Sequence, residues 1–273
     1  MKIFLFLVTI FISVFFQQGF AQGGLLITPK RVVFEGNKQK TEINLMNTGT
    51  DTALYSVSLR NYKMTEDGRL ELIEVPDTGK MSAEPYLRFF PRQVTLAPGE
   101  SQVIALQCRR TPGMAPGEYR SHLWFRDEKN YKPLEKEKPL AETNQLSVSL
   151  IAKYGITIPV IIRSGAVNTG ATLTALKLET GQDSTQYLKL TINRTGNISI
   201  DGKLTAEYYP LMGKPLSAGL MNVGVYTNIS KRSVAIKLNR IPGATLTGGK
   251  VKVRYTSRDG EKYVLYAEAE LVL

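Results

Sequence analysis

The sequence predicts an all-β protein built as two immunoglobulin-like β-sandwich domains, on three observations. Helical periodicity is nearly absent from the 273 residues. Short alternating segments recur instead, bounded by Gly, Pro, Asn and Asp. The stretch from Phe89 to Cys108 reads strand, Pro-Gly turn, strand. Val94 and Leu96 alternate before Ala97-Pro98-Gly99-Glu100, and Ile104, Leu106 and Cys108 alternate after it against Val103, Ala105 and Gln107. Two half-buried strands joined this way form one corner of an antiparallel sandwich. Turn residues at Ser164-Gly165 and Asn168-Thr169-Gly170 then separate a first group of strands from a second. The first group numbers about seven, the count of an immunoglobulin-like sandwich.

The first predicted strand, Leu25 to Phe34, is interrupted by Pro29, which fits an edge strand or a bulge that switches sheets. Thr41 to Asn47 follows with Ile43 and Leu45 on one face, then Ala53 to Tyr62 with Tyr55, Val57 and Leu59 together. Asp67-Gly68 is a hairpin turn before Arg69 to Val75. Beyond the central corner, Tyr119, Ser121, Leu123 and Phe125 alternate against Arg120, His122, Trp124 and Arg126. Asp127 to Thr143 is charged and contains proline, and reads as a mobile loop. Leu146 to Arg163 is a long, mostly apolar strand. In the second domain, strands are predicted near Thr172–Leu178, Gln186–Asn193, Gly202–Tyr209, Ser233–Leu238, Gly249–Thr256 and Lys262–Val272. On the last of these Tyr263, Leu265, Ala267, Ala269 and Leu271 are expected to face inward.

The chain opens with Lys2, an apolar run from Ile3 to Phe16, and small residues at Gly19 and Ala21, the pattern of a secretory signal. Cleavage is expected after Ala21. Residues 1–21 are then the signal peptide, 22–164 the first domain and 165–273 the second. The run is short for a bilayer span and lacks basic anchors on its far side, so the expectation is an exported, soluble protein. Cys108 is the only cysteine, so no internal disulfide can form and stability must come from apolar cores. Its place beside Ile104 and Leu106 makes it a buried, inert thiol. The net charge of +11 falls to +10 once Lys2 is removed, and its basic residues are scattered. That charge suits anionic partners or serves solubility alone, and export argues against nucleic acid.

Enzymatic chemistry finds little support. His122 is the only histidine, which excludes most zinc sites and an ordinary Ser-His-Asp triad. Its neighbours Arg120, Trp124 and Arg126 leave two readings, partner contact or incidental placement. Glu66-Asp67 and Asp127-Glu128 are turn or loop residues rather than an acid/base couple. No glycine loop stands at a strand–helix junction to cradle phosphate. The expectation is a non-enzyme with no cofactor and no metal.

Four segments in order carry a resemblance to a known family. They are Thr28-Pro29-Lys30-Arg31-Val32-Val33-Phe34, Ile43-Asn44-Leu45-Met46-Asn47, Pro91 to Glu100, and Asn144-Gln145-Leu146-Ser147-Val148-Ser149-Leu150. Over roughly residues 25 to 163 the chain resembles the periplasmic pilus chaperones of the chaperone–usher pathway. The resemblance implies two immunoglobulin-like domains set as a boomerang, with pilus or fimbrial subunits bound in the cleft and delivered to an outer-membrane usher. A pilus subunit is a sandwich lacking one strand, and the chaperone lends its own strand to complete it, a mode of recognition in which main-chain hydrogen bonds set the register. Leu146, Val148 and Leu150 are the residues assigned to the subunit's groove; the alternative is that they belong to the host core. Ile156, Ile158, Val160 and Ile162 suit that ordinary core role.

The resemblance further implies two basic residues at the foot of the cleft that hold the subunit's terminal carboxylate, since a buried carboxylate needs charged partners. Arg31 matches the first. The second is a lysine in the family, and the positions reached by counting are Gly155 and Pro159. Lys153, the nearest basic residue, is nominated in its place. Arg163 matches an arginine that fixes the angle between domains, with Asp259 as its expected partner and Glu118 close by in place of the family's glutamate. Arg163 as a plain strand-end charge is the other reading. The competing function is a secreted or surface adhesin or carbohydrate-binding module, with Tyr208, Tyr209, Tyr226 and Tyr255 as a stacking platform.

Overall fold

The computed structural model describes residues 24–74, 81–128, 155–182, 185–239, 246, 248–258 and 260–273. The signal segment, most of the charged loop, Leu146, Val148, Leu150, Lys153 and Asp259 lie outside the described residues. The first sandwich runs β1 (Leu25–Thr28), β2 (Val32–Phe34), β3 (Lys40–Asn47), β4 (Ala53–Arg60), β5 (Tyr62–Met64), β6 (Leu70–Leu72), β7 (Leu87–Phe90), β8 (Gln93–Leu96), β9 (Ser101–Cys108), β10 (Gly117–Asp127) and β11 (Gly155–Ser164). One sheet has the order β1-β3-β9-β7 and the other β2-β11-β10-β4-β8, while β5 and β6 form a separate hairpin. The predicted break at Pro29 is a change of sheet. β1 pairs antiparallel with β3, and β2 crosses to pair parallel with β11.

The core is built by the alternation read from the sequence. Ile43, Leu45, Tyr55, Val57, Val94, Leu96, Ile104, Leu106, Cys108, Leu123, Phe125, Ile158, Val160 and Ile162 belong to one buried cluster. Ile156 departs from that expectation. It keeps the parity of Ile158 and Val160 but is 41% exposed, because β11 here runs past the end of the core. Ile161, on the opposite face, is buried outside the cluster.

The Pro-Gly corner joins the two sheets, since β8 pairs with β4 and β9 with β3. Buried Asn47 latches it. Its Nδ2 donates to the carbonyls of Leu96 at 2.9 Å and Asp51 at 2.8 Å, and its Oδ1 accepts from the amide of Gly49 at 2.9 Å. The main chain of Asn47 also receives the amide of Gly99 and donates to the carbonyl of Glu100. A corner residue cannot satisfy its polar groups through a ladder, so an amide side chain does it instead.

The second sandwich comprises β12 (Thr169–Thr180), β13 (Gln186–Gly196), β14 (Ile200–Tyr209), β15 (Leu216–Val225), β16 (Lys231–Lys237), β17 (Lys250–Ser257) and β18 (Leu265–Val272). Its sheets are ordered β12-β13-β16 and β15-β14-β17-β18 around a second buried cluster. Two sequence expectations need correction. β15 was not predicted, because Gly219, Asn222 and Gly224 mask its pattern. A Cβ on Gly219 would lie 2.9 Å from Ile236 Cγ2, so glycine is what lets this strand approach its neighbour. On β18 a register shift between Tyr255 and Thr256 reverses the parity at its start. Ala267, Ala269 and Leu271 pack on the core as expected, whereas Tyr263 and Leu265 are exposed and Tyr266 turns inward.

The corner generates a test. Asn47→Ala removes the side chain that satisfies two carbonyls and one amide, and should destabilise the protein by about 2–4 kcal/mol. A urea midpoint unchanged from wild type would refute the latch.

Candidate functional site

Charged residues converge where the two sandwiches meet. β10 presents Glu118, Arg120 and His122 on successive outward positions, and β11, paired beside it, presents Ile161 and Arg163. The ladder sets Glu118 opposite Arg163 and Arg120 opposite Ile161. Local pattern therefore fixes which side chains face the junction, before any contact with the second sandwich is made.

Glu118 is fully buried, with 0% of its side chain exposed. Its Oε1 accepts from Arg120 Nη2 at 2.8 Å, and its Oε2 accepts from the hydroxyl of Ser199 at 2.8 Å and the amide of Ser199 at 3.1 Å. Ser199 stands just before β14, so two of these donors come from the second sandwich. Arg120 Nη2 also donates to Ser199 Oγ at 2.7 Å, and its guanidinium lies 3.8 Å from the ring centre of Tyr226. Arg163 Nε stands 3.7 Å from Glu118 Oε2, and its Nη1 donates to Glu35 at 3.3 Å. Burial alone would push the Glu118 carboxyl up. The Arg120 charge and the Ser199 hydrogen bonds outweigh it and hold the group below the usual carboxylate range.

His122 is packed into the same junction, 2% exposed, with Tyr62 edge-on at 5.0 Å and Tyr226 stacked at 6.2 Å. Its Nε2 is 3.3 Å from the Tyr226 hydroxyl. Burial and the nearby Arg120 charge depress its pKa to about 3, so the imidazole is neutral at ordinary pH. Neither sequence reading of His122 survives unchanged, because this face of β10 is covered by the second sandwich. The β5–β6 hairpin adds a further tie. Met64 exchanges hydrogen bonds with the side chain of Asn228, and the amide of Ser233 donates to the carbonyl of Glu66 at 2.8 Å.

Arg31 enters from the short connection between β1 and β2. Its Nη1 donates to Asp201 Oδ2 at 2.7 Å, and Arg258 Nη2 donates to Asp201 Oδ1 at 2.6 Å. One carboxylate on β14 is thus held by two guanidinium groups, one from each sandwich. Arg31 Nε is buried without a hydrogen-bond partner.

Of the sequence-predicted site residues, the structure brings Arg31 and Arg163 to this junction. Arg163 faces Glu118 and Glu35, while its expected partner Asp259 lies outside the described residues. So do Lys153, Leu146, Val148 and Leu150. Sequence reasoning missed Asp201, Ser199 and Arg258, and it gave Tyr226 to a stacking platform rather than to this junction. Asp201 and Ser199 frame the start of β14, and no periodicity marks a residue whose partner lies in the other sandwich. The tyrosine platform is not assembled, because Tyr208 and Tyr255 are core and Tyr226 is occupied by Arg120 and His122. Among the described residues no group of three or more His, Cys, Asp and Glu could hold a metal ion, and no helix is long and apolar enough to cross a membrane.

The junction predicts acid lability. The folded His122 pKa lies below its unfolded value, so the unfolded chain binds a proton first and stability falls as pH drops below about 6.5. By pH 5 the loss should be about 2 kcal/mol. Glu118, also lowered in the folded state, adds a second decline that begins at the ordinary carboxylate range and continues below it. Urea unfolding at pH 7.5, 5.5 and 4.5 measures both. His122→Phe should flatten the upper part of the profile, and an identical slope in that variant would sink the assignment.

No protein-family model matches the chain, and no curated protein sequence matches it. Solved structures similar to it are pilus and fimbrial chaperones. One is the CsuC–CsuE chaperone–tip adhesion subunit pre-assembly complex from archaic chaperone–usher Csu pili of Acinetobacter baumannii, at 15% identity over 91% of this chain and 98% of that chain, with a TM-score of 0.48. Another is the YadV chaperone, at 12% identity over 92% and 100% with a TM-score of 0.46. The E. coli chaperone DraB follows at 13% identity over 90% and 98%, with a TM-score of 0.45. Likenesses this distant carry no argument about what the present chain binds.

Proposed function

We propose that this protein is an exported, periplasmic chaperone that binds pilus or fimbrial subunits by lending them a β-strand and hands them to an outer-membrane usher. The observation that carries the reading is the edge of β11. β10 pairs with β11 along its whole length from Gly155 to Ser164, but β2 covers only Val160 to Ile162 on the other side. Among the described residues, no strand pairs with Gly155 to Pro159 on that side. Ile156 stands there with its apolar side chain exposed. In the sequence it shares the even parity of Leu146, Val148 and Leu150, the residues assigned to donation.

An open edge of this kind is a template for another chain, and a protein that exposes one without use for it invites aggregation. Strand addition uses that edge: backbone groups of the client complete the ladder, and alternate apolar side chains enter its groove. The domain limits 22–164 and 165–273 and removal of residues 1–21 belong to the same reading, as do Lys153 and Asp259 in their assigned roles and the absence of catalysis. An adhesin or carbohydrate module gains nothing from the junction, whose tyrosines are already engaged.

The test compares two charges on one strand. Val148→Glu places an unpaired carboxylate in what should be a dry groove and is expected to abolish recovery of envelope subunits with the protein, leaving the unfolding midpoint unchanged. Ile158→Glu, inside the buried cluster, should unfold the first sandwich. If both variants unfold alike, Val148 is host core and the donor-strand reading fails. N-terminal sequencing of periplasmic material should begin at Gln22; a retained Met1 would reject export by cleavage.

A further inference from the structure

We propose that Asp201 is an internal stand-in for the client carboxylate, holding Arg31 until a client displaces it. The inference rests on the reading of Arg31 as a subunit anchor. In the client-free chain the Arg31 guanidinium already grips a carboxylate, Asp201 Oδ2 at 2.7 Å, contributed by the second sandwich. An incoming terminal carboxylate must therefore exchange with one already present, and the affinity seen is a difference between two charge-assisted hydrogen-bonded pairs.

Three features make the exchange feasible. The pair is partly solvated, with 22% of the Arg31 side chain and 18% of the Asp201 side chain exposed, so separating it leaves neither charge in a dry interior. Arg258 holds the other oxygen of Asp201 at 2.6 Å, so Asp201 stays compensated after Arg31 turns away. Arg31 Nε, buried and without a hydrogen-bond partner among the described residues, is a donor that Asp201 leaves unsatisfied, so the present pairing does not use the whole guanidinium. The Glu118 pair offers a contrast. It is sealed from solvent and bonded by the main chain of Ser199, and it has no comparable route to exchange.

The exchange also couples binding to the junction. The Arg31–Asp201 contact spans the two sandwiches, so a client that takes Arg31 releases one of their ties while the Glu118–Ser199 bonds remain.

The experiment uses the full mature chain and a labelled synthetic peptide of alternating valine and threonine, with either a free C-terminal carboxylate or a C-terminal amide. Asp201→Asn removes the competing charge and should tighten binding of the free-acid peptide about tenfold, leaving the amide peptide unchanged. Asp201→Glu should behave as wild type. In an Arg31→Ala background Asp201→Asn should have no effect. If Asp201→Asn leaves the acid peptide unchanged or weakens it while Arg31→Ala abolishes its preference over the amide, Arg31 is the anchor and Asp201 is only a structural tie, which overturns the inference alone. If acid and amide bind equally in every variant, Asp201→Asn included, or none binds, the anchor reading of Arg31 falls and the inference falls with it. Unfolding midpoints of each variant separate these outcomes from loss of fold.

Discussion

A carboxylate sealed from water at the meeting of two sandwiches, that of Glu118, constrains everything around it. An ionised carboxylate cannot be left unpaired in such a place, since removing one partner from a buried pair costs about 3–5 kcal/mol. The compensating charge, Arg120, comes from its own strand two residues on, but the hydroxyl and amide that complete its hydrogen bonds belong to Ser199 in the second sandwich. The charge is satisfied only when the sandwiches are correctly set against one another. Buried ion pairs add little net stability over apolar packing, yet a mispositioned second sandwich would expose this one to its full desolvation cost. The pair thus acts on geometry more than on stability. Arg163, Tyr226 and His122 pack around the same point and share that dependence.

β11 links this junction to the rest of the molecule. Its even positions Ile158, Val160 and Ile162 enter the first core, and its odd positions Ile161 and Arg163 face the junction. It then ends at Ser164, and Gly165, in a left-handed conformation with φ of +64°, turns the chain towards β12. A ten-residue strand therefore stabilises one sandwich, contributes a charge to the contact between two, and leads into the connection. At its other end the same apolar face emerges at Ile156 beyond the core. Whatever pairs with that edge is joined through one rigid ladder to the residues that set the junction, with β10 bonded along its whole length.

The parts legible in the sequence are those with a period. The alternation of Val94 and Leu96 before the corner, and of Ile104, Leu106 and Cys108 after it, appears in the structure as buried positions on two facing sheets. The break at Pro29 announced a change of sheet because proline removes the donor that a continuing ladder needs. β15 was illegible since Gly219 is placed for close approach to Ile236, and a close approach leaves no apolar side chain to count at that position. The start of β18 misled because one bulge inverts parity, and a bulge has no period. The site divides in the same way. Arg31 and Arg163 could be singled out by resemblance from the segments around them, but Asp201, Ser199 and Arg258 are defined by a partner far along the chain. No local pattern distinguishes an aspartate that will meet Arg31 from one that will meet water.

The two carboxylates of the junction, compared, show how burial divides labour between similar ion pairs. Glu118 and Asp201 are each held by arginines at 2.6–2.8 Å, so bond length does not separate them. Solvent does. With 0% of its side chain exposed, Glu118 could be released only by carrying its charge through a medium that cannot replace the lost partners. Asp201 is reached by water, and each hydrogen bond it gives up can be replaced from solvent, so the net worth of the Arg31 contact is small. A contact that must be permanent is buried and bonded to main chain, and a contact that must be exchangeable is left partly wet and doubly held. The junction contains one of each, and the two are joined on the second-sandwich side through Ser199 and Asp201, two positions apart in the sequence. Movement of Arg31 away from Asp201 therefore acts on the same short segment that closes over Glu118, and the fixed pair is what keeps that segment in place while the labile one changes partner.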